Sequence, residues 1–337
     1  MEASLYEKLE DDVVRCHLCH HRCRIKEGRR GICQVRENRH GVLETLVYGR
    51  LIARHVDPIE KKPLFHVLPG TRSYSIATVG CNFRCAFCQN ADIAQLPADH
   101  EGMILGEPAT PEEVVSDALA QGCRSIAYTY TEPTVFFEFA RDTARLATAQ
   151  GLRNIFVTNG YMTPEALDAI GSDLHAANVD LKAFSDDFYR AYCGARLAGV
   201  TETLAYMHKL GIFVEVTTLM IPGLNDDPSE LRALADFIVE TLGPQTPWHV
   251  SRFHPTYRLL DRPVTPLATL TKAREIGLQA GLKHVYVGNA PGLDGEDTRC
   301  PECGQVLIQR RGFSLGRIRL KNGACPDCGA PVAGIWA

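Results

Sequence analysis

No apolar run in this chain approaches the length that crosses a bilayer, and its first residues, MEASLYEKLEDDVV, are acidic and amphipathic where an export signal is basic and then apolar. Both lacks point to the cytoplasm. A surplus of one charge is lacking as well, since 36 Lys and Arg against 40 Asp and Glu leave a net charge of −4. That balance argues against a general nucleic-acid binder, while a local basic face stays open. A fourth cysteine is missing from CNFRCAFCQN, residues 81–90. There Cys81, Cys85 and Cys88 offer three thiols, whereas a closed tetrahedral site takes four ligands. The unfilled fourth position is the feature to explain.

With 337 residues and 45% hydrophobic content the chain can bury a substantial core. Its thirteen cysteines, in a chain without an export signal, suit metal binding better than disulfides, because cytosolic reductants keep thiols reduced. Cys16, Cys19, Cys23 and Cys33 form one cluster, Cys81, Cys85 and Cys88 a second, and Cys300, Cys303, Cys325 and Cys328 a third. Cys123 and Cys193 stand alone and read as small apolar packing residues.

Short apolar runs alternate with helix-like stretches between the outer clusters. The strand candidates begin at Ser73, Ser125, Asn154, Asn178, Phe213, Trp248 and His284. Thr110-Pro111 with Glu113, and Asp227-Pro228 with Glu230, match a capping box; Thr163-Pro164 and Thr265-Pro266 repeat the cap-then-proline pattern. This alternation predicts an α/β fold with a parallel sheet, of roughly six units: a partial (β/α)6-type barrel, with a doubly wound open sheet as second choice. The expected division is a cysteine-rich N-terminal extension (1–70), the partial barrel (71–292) and a zinc-ribbon-like C-terminal domain (293–337).

In such a sheet the site lies at the carboxyl ends of the strands. There the sequence places Cys81, then Thr129, Thr131 and Glu132, then Asn159, Asp180 with Lys182, and His254. Singly each has an ordinary reading: Glu132 as a helix cap, Asp180 and Lys182 as an ion pair, His254 as a loop histidine. Together, beside a cysteine loop, they read as a site.

The C-x-x-x-C-x-x-C loop after a first strand, with Phe87 just before the last cysteine, resembles the signature of the radical S-adenosylmethionine (SAM) enzymes. The resemblance implies a 4Fe-4S cluster on Cys81, Cys85 and Cys88 whose fourth iron takes SAM. It further implies reductive cleavage to methionine and a 5′-deoxyadenosyl radical, and hydrogen abstraction from a substrate. A three-cysteine zinc site completed by a distant histidine is the other reading of the loop. YTYTEPT resembles the segment of pyruvate formate-lyase activating enzymes in which an acid before proline contacts the SAM amino group, which assigns that role to Glu132. TNG at 158–160, DLK at 180–182 and FHP at 253–255 are similar to elements of that group; they imply SAM contacts by Phe87, Asn159, Asp180, Lys182 and His254. From DPIEKKPLFHVLPG through VGNAPG the chain resembles the radical SAM component of the AmmeMemoRadiSam system, a name that carries no substrate. The resemblance implies an electron-donating partner of flavodoxin or ferredoxin type, and a protein or peptide among the substrate classes.

The outer clusters depart from the simplest activating enzymes. Cys16, Cys19, Cys23 and Cys33 suit structural zinc or an auxiliary iron-sulfur cluster; zinc is preferred for a short polar loop flanked by Gly28 and Gly31, and His17, His20 or His21 could replace a ligand. CPECG and CPDCG each put two thiols on a tight turn, and the 21 residues between them suit a hairpin. That pattern reads as a zinc ribbon, with a single rubredoxin-type iron as the alternative. Arg310, Arg311, Arg317, Arg319 and Lys321 between them read as a solvated basic face before a nucleic-acid or protein site. The rival to an enzyme is a metal-stapled nucleic-acid-binding or scaffold protein, and within the enzymes the alternative is an activase of glycyl-radical enzymes.

Overall fold

All seven apolar runs become parallel strands of one sheet in the computed structural model, which describes residues 1–337. An antiparallel strand, β1 (Ala53–Pro58), forms one edge. Across the sheet follow β2 (Arg72–Ala77), β3 (Ser125–Tyr128), β4 (Arg153–Thr158), β5 (Ala176–Asp180), β6 (Phe213–Met220), β7 (Trp248–Arg252) and β8 (Val285–Gly288). Most of their residues are buried regardless of which face they point to, so the strands read as continuous apolar runs rather than alternating ones. The order never reverses, which excludes the doubly wound alternative. The crossovers between successive parallel strands are α1 (Pro111–Ala120), α2 (Phe137–Ala149), α3 (Pro164–Ile170), α4 (Leu197–Lys209), α5 (Pro228–Phe237) and α6 (Leu267–Ala280).

The helix starts show which local signals survive tertiary competition. Thr110 and Glu113 close a reciprocal capping box at α1, with Thr110 N donating to Glu113 at 2.9 Å. At α5 only half of the box forms. Asp227 accepts from Ser229 N and Glu230 N, but the Glu230 carboxylate is taken by Phe184 N at 2.8 Å. Thr163 caps α3 as expected. Thr265 does not cap α6: it is fully buried, donates to Met220 O at 2.6 Å and accepts from Phe253 N at 2.9 Å, tying the ends of β6 and β7 together.

The N-terminal residues are not an independent unit of packing. Val14, Leu18, Ile25, Val35, Leu43 and Val47 belong to the same buried cluster as the sheet. Arg36 and Glu138 of α2 make a buried ion pair at 2.6 Å, and Ser4 adds two hydrogen bonds to the same carboxylate. Burial would raise the Glu138 carboxyl, but the Arg36 guanidinium holds it below the usual range. β1 itself lies in the stretch read as extension, so the sheet takes in residues from before position 71.

At the amino-terminal end of the strands, residues 59–68 plug the sheet. Glu215 accepts from Phe65 N, His66 N and His249 Nε2 at 2.6–3.0 Å, and Asn178 donates to Pro63 O. The C-terminal segment docks on this plug. Its strands β9 (Thr298–Arg299), β10 (Val306–Arg311) and β11 (Ser314–Ile318) form an antiparallel sheet, and β10–β11 is the expected hairpin. Arg310 departs from the expected solvated face. It is buried, donates to Thr298 Oγ1 and Phe65 O at 2.6 Å, and stacks 4.3 Å over the Phe65 ring; Arg311, Arg317 and Lys321 are exposed.

Truncating Arg310 removes two charge-assisted hydrogen bonds and a desolvated stacking contact, so Arg310→Ala should cost about 2–4 kcal/mol, against less than about 0.5 kcal/mol for exposed Arg311→Ala. Denaturant unfolding of both variants checks this; equal midpoints would remove Arg310 as the anchor of the C-terminal segment.

Candidate metal and ligand site

β2 runs through Thr78, Val79 and Gly80 into Cys81. Gly80 sits at φ 98°, and a Cβ there would lie 2.5 Å from Val35, so only glycine lets the loop pass beneath the N-terminal segment. The loop is held by its own backbone. Arg84 N and Ala86 N donate to Cys193 O and Tyr192 O at 2.8 and 2.9 Å, and Ala86 O accepts from Arg258 N. Cys81 and Cys85 are buried and Cys88 half-buried. Burial, then the neighbouring Glu132 charge, pushes the Cys81 thiol well up; burial, then Cys85, pushes Cys88 to about 11. A bound cation would reverse this by displacing the protons. Cys193 is fully buried, as its packing role requires, and also lies within hydrogen-bonding reach of Cys85.

Glu132, with no exposed surface, organises the next two strand ends. One carboxylate oxygen accepts from Thr134 N, Thr134 Oγ1 and Thr158 Oγ1 at 2.5–3.0 Å, the other from Asn159 N at 2.8 Å. Burial raises its carboxyl and these donors oppose the rise. Asn159 then reaches the cysteine loop: its Nδ2 lies 2.8 Å from Asn82 Oδ1 and 3.6 Å from Cys81 Sγ. Gly160, at φ 67°, would carry a Cβ 2.5 Å from Val179, so the turn depends on glycine here too. Thr131 Oγ1 closes back on Thr78 O at 2.8 Å.

The remaining expected residues fall into two groups. Lys182 Nζ pairs with Asp180 at 2.9 Å and sits 5.8 Å from the centre of the Phe87 ring, which packs on Phe188. His254 is exposed past β7, outside the hydrogen-bonded group of Cys81, Glu132 and Asn159. The sequence reading missed Asn82, although it follows Cys81 directly. It also missed Thr134 and Thr158, which lie in the quoted YTYTEPT and TNG motifs.

The two outer clusters differ in geometry. In the C-terminal segment all four sulfurs lie within 4.8 Å of one another, with Cys300–Cys328 at 3.5 Å and Cys303–Cys325 at 3.7 Å. A tetrahedron of ~2.3 Å metal–sulfur bonds separates its sulfurs by about 3.8 Å, so this set fits one ion. The N-terminal four line a common cavity with His21, Arg36 and Asn82. Each neighbouring histidine has one ring nitrogen in a hydrogen bond, and His21 also lines the cavity. His17 Nδ1 meets Arg22, His20 Nε2 meets Thr203, and His21 Nε2 meets Asn82 O at 2.8 Å.

A three-thiol loop at the end of the first of seven parallel strands, with carboxylate and amide groups on the next strand ends, defines a chain built for a cluster and a small ligand. Residues 75–238 match the model of the radical SAM superfamily, and the chain belongs to that superfamily. It is 48% identical over 333 residues to an uncharacterised protein of Methanocaldococcus jannaschii, covering 98% of both chains. It is 24% identical over 176 residues to the pyruvate formate-lyase-activating enzyme of Clostridium pasteurianum, covering 50% of this chain and 70% of that one. Among solved structures, a radical SAM methyltransferase from Sphaerobacter thermophilus shares the fold at 17% identity and TM-score 0.51, over 65% of this chain and 66% of that one. Membership carries the general activity of the superfamily, cleavage of SAM at a 4Fe-4S cluster to start radical chemistry, and no helix is long and apolar enough to cross a membrane.

The residues present fit those groups. The sulfurs of Cys81, Cys85 and Cys88 are spread wider than a single ion requires, and Asn159 Oδ1 is a buried acceptor without a partner beside Cys81.

Glu132→Gln turns an amide NH2 towards Thr158 or Asn159 N–H and should loosen the Asn159 loop at a cost of about 1–3 kcal/mol. Iron content should hold while SAM affinity falls about tenfold or more; Asp180→Asn should weaken SAM too, and unchanged calorimetric affinity in both would move SAM elsewhere. Cys300→Ser and Cys325→Ser should each release one metal ion and loosen the C-terminal segment, leaving reductive SAM cleavage largely intact. Complete loss of cleavage in soluble protein would show that the ribbon belongs to the catalytic unit.

Proposed function

We propose that this chain is a radical SAM enzyme that cleaves SAM reductively and abstracts hydrogen from a peptide, protein or bulky small molecule. The observation that carries the reading is the hydrogen-bonded chain Glu132–Asn159–Asn82, which joins two strand ends to the cysteine loop beside Cys81. Cys81, Cys85 and Cys88 hold the 4Fe-4S cluster, which when bound to SAM supplies the electron that breaks the carbon–sulfur bond. Asn159 Oδ1 accepts from the SAM amino group, and Glu132 positions Asn159, keeping one lone-pair direction on the oxygen that Asn159 N leaves least crowded. Asp180 takes the ribose, Lys182 and Phe87 close the wall beside it, and His254 reaches the ligand from the outer rim.

The sheet curves as a partial (β/α)6-type barrel whose lateral opening admits a substrate loop; 71–292 carries its parallel strands, 1–70 supplies the edge strand and the cysteine-rich wall packed on it, and 293–337 forms the ribbon. The C-terminal four cysteines hold zinc, Cys16, Cys19, Cys23 and Cys33 a second metal centre, and a flavodoxin- or ferredoxin-type protein in the cytoplasm delivers electrons. A glycyl-radical-enzyme activase is the second reading, supported by the names of relatives such as the Clostridium protein. The burial of the cysteine loop beneath the N-terminal segment favours the first.

Anaerobic reconstitution, reduction and product analysis with SAM test the reading. Wild type should release 5′-deoxyadenosine, and Cys81→Ala, Cys85→Ala and Cys88→Ala should each abolish release. Retained cleavage in all three would refute the assignment. A stable glycine-centred radical on a candidate glycyl-radical protein, seen by electron paramagnetic resonance, would promote the second reading.

A further inference from the structure

We propose that Cys16, Cys19, Cys23 and Cys33 hold a second iron-sulfur cluster, rather than the zinc ion preferred for a short polar loop flanked by glycines, placed to exchange an electron with the cluster on the Cys81 loop. The cluster assignment stands by itself; the electron's destination rests on the function proposed above.

The first observation is size. All four thiols line one cavity, yet only the C-terminal four cysteines gather all their sulfurs within 4.8 Å. The N-terminal sulfurs are spread wider, as are those of Cys81, Cys85 and Cys88. A lone tetrahedral ion draws its sulfurs to about 3.8 Å, whereas a cubane puts each thiolate on a different iron and holds them farther apart. In this chain the C-terminal set alone is drawn in to single-ion spacing, and the N-terminal set shares with the Cys81 loop the lack of that compact arrangement.

The second observation is hydrogen bonding. Arg36 Nε and Asn82 Nδ2 belong to cavity-lining residues only 1% exposed, and neither atom has a partner. Buried N–H donors are rarely left unpaired. Inorganic sulfides would supply acceptors that a bare zinc ion lacks.

The third observation is position. Asn82 lines this cavity and, through Oδ1, meets Asn159 Nδ2, which lies 3.6 Å from Cys81 Sγ. His21, from the same cavity wall, meets the Asn82 carbonyl at 2.8 Å. The Cys33 carbonyl lies 3.2 Å from the point where a Gly80 Cβ would stand. Asn82 thus borders the N-terminal cavity and follows Cys81 directly in the chain, which makes the two sulfur groups neighbours. One electron from a flavodoxin- or ferredoxin-class donor reduces the N-terminal cluster and passes to the neighbouring one. It ends on the SAM sulfonium, where the C5′–S bond breaks, methionine keeps the sulfur with its electrons paired and the carbon keeps one unpaired electron.

The test is elemental and spectroscopic analysis of anaerobically reconstituted full chain. The triple variant Cys81→Ala/Cys85→Ala/Cys88→Ala should retain about four irons and about four acid-labile sulfides with a cluster absorption; zinc there without labile sulfide would overturn the assignment. In the converse variant, Cys16→Ala/Cys19→Ala, sulfide should fall from about eight to about four per chain, and an unchanged count would overturn it as well. The converse variant keeps the proposal falsifiable if the triple variant does not fold. In the fully reduced wild type the paramagnetic resonance signals should broaden each other, and a spectrum equal to the sum of the two variants would overturn the electron exchange. Wild type with about eight sulfides that fails to cleave SAM would sink the function proposed above and leave the second cluster standing.

Discussion

A carboxylate sealed from water must be fully hydrogen-bonded, and the site end of this protein depends on how Glu132 meets that demand. Its four donors come from the segment that follows it and from the end of the next strand, so satisfying one charge sets the relative positions of two strand ends. Asn159, placed by its own N–H to Glu132, can then reach Asn82 and the first cysteine sulfur. Removing the carboxylate would release the segment that holds the cysteine loop from the β4 side.

From the other side the loop is held by the N-terminal segment. Val35 occupies the space that a side chain at Gly80 would need, and His21 binds the Asn82 carbonyl. Thr163 at the start of α3 donates to His17 O at 2.6 Å, and Cys19 bridges Met162. The buried Arg36–Glu138 pair anchors this segment to α2; with its charges desolvated, breaking it would leave one of them unpaired. The cysteine-rich extension is therefore a wall of the site and not an appendage.

The amino-terminal end of the sheet is closed by a different device. Glu215 gathers the backbone of Phe65 and His66 and the ring of His249, which fastens the 59–68 plug under the strands. Arg310 then clips the C-terminal segment to that plug, and Ile335 adds a backbone bridge to Val67. The small four-cysteine segment caps the end of the sheet opposite the Cys81 loop.

All seven parallel strands, the three-cysteine loop and the paired knuckles were legible in the sequence, because each is a local pattern: an apolar run of strand length, or thiols at fixed offsets. The caps at Thr110 and Thr163 were legible for the same reason. Thr265 and Glu230 were not, since their side chains are taken by distant backbone groups, and Arg310 reads as a surface charge until the plug beneath it is known. Asn159 was named from its motif, but its contact with Asn82 came only from folding, which brings residues far apart in sequence to 2.8 Å. Which thiol set is compact and which is wide was likewise decided by tertiary structure. Sequence spacing sets how many ligands a segment offers, while the size of the space they surround depends on what packs behind them.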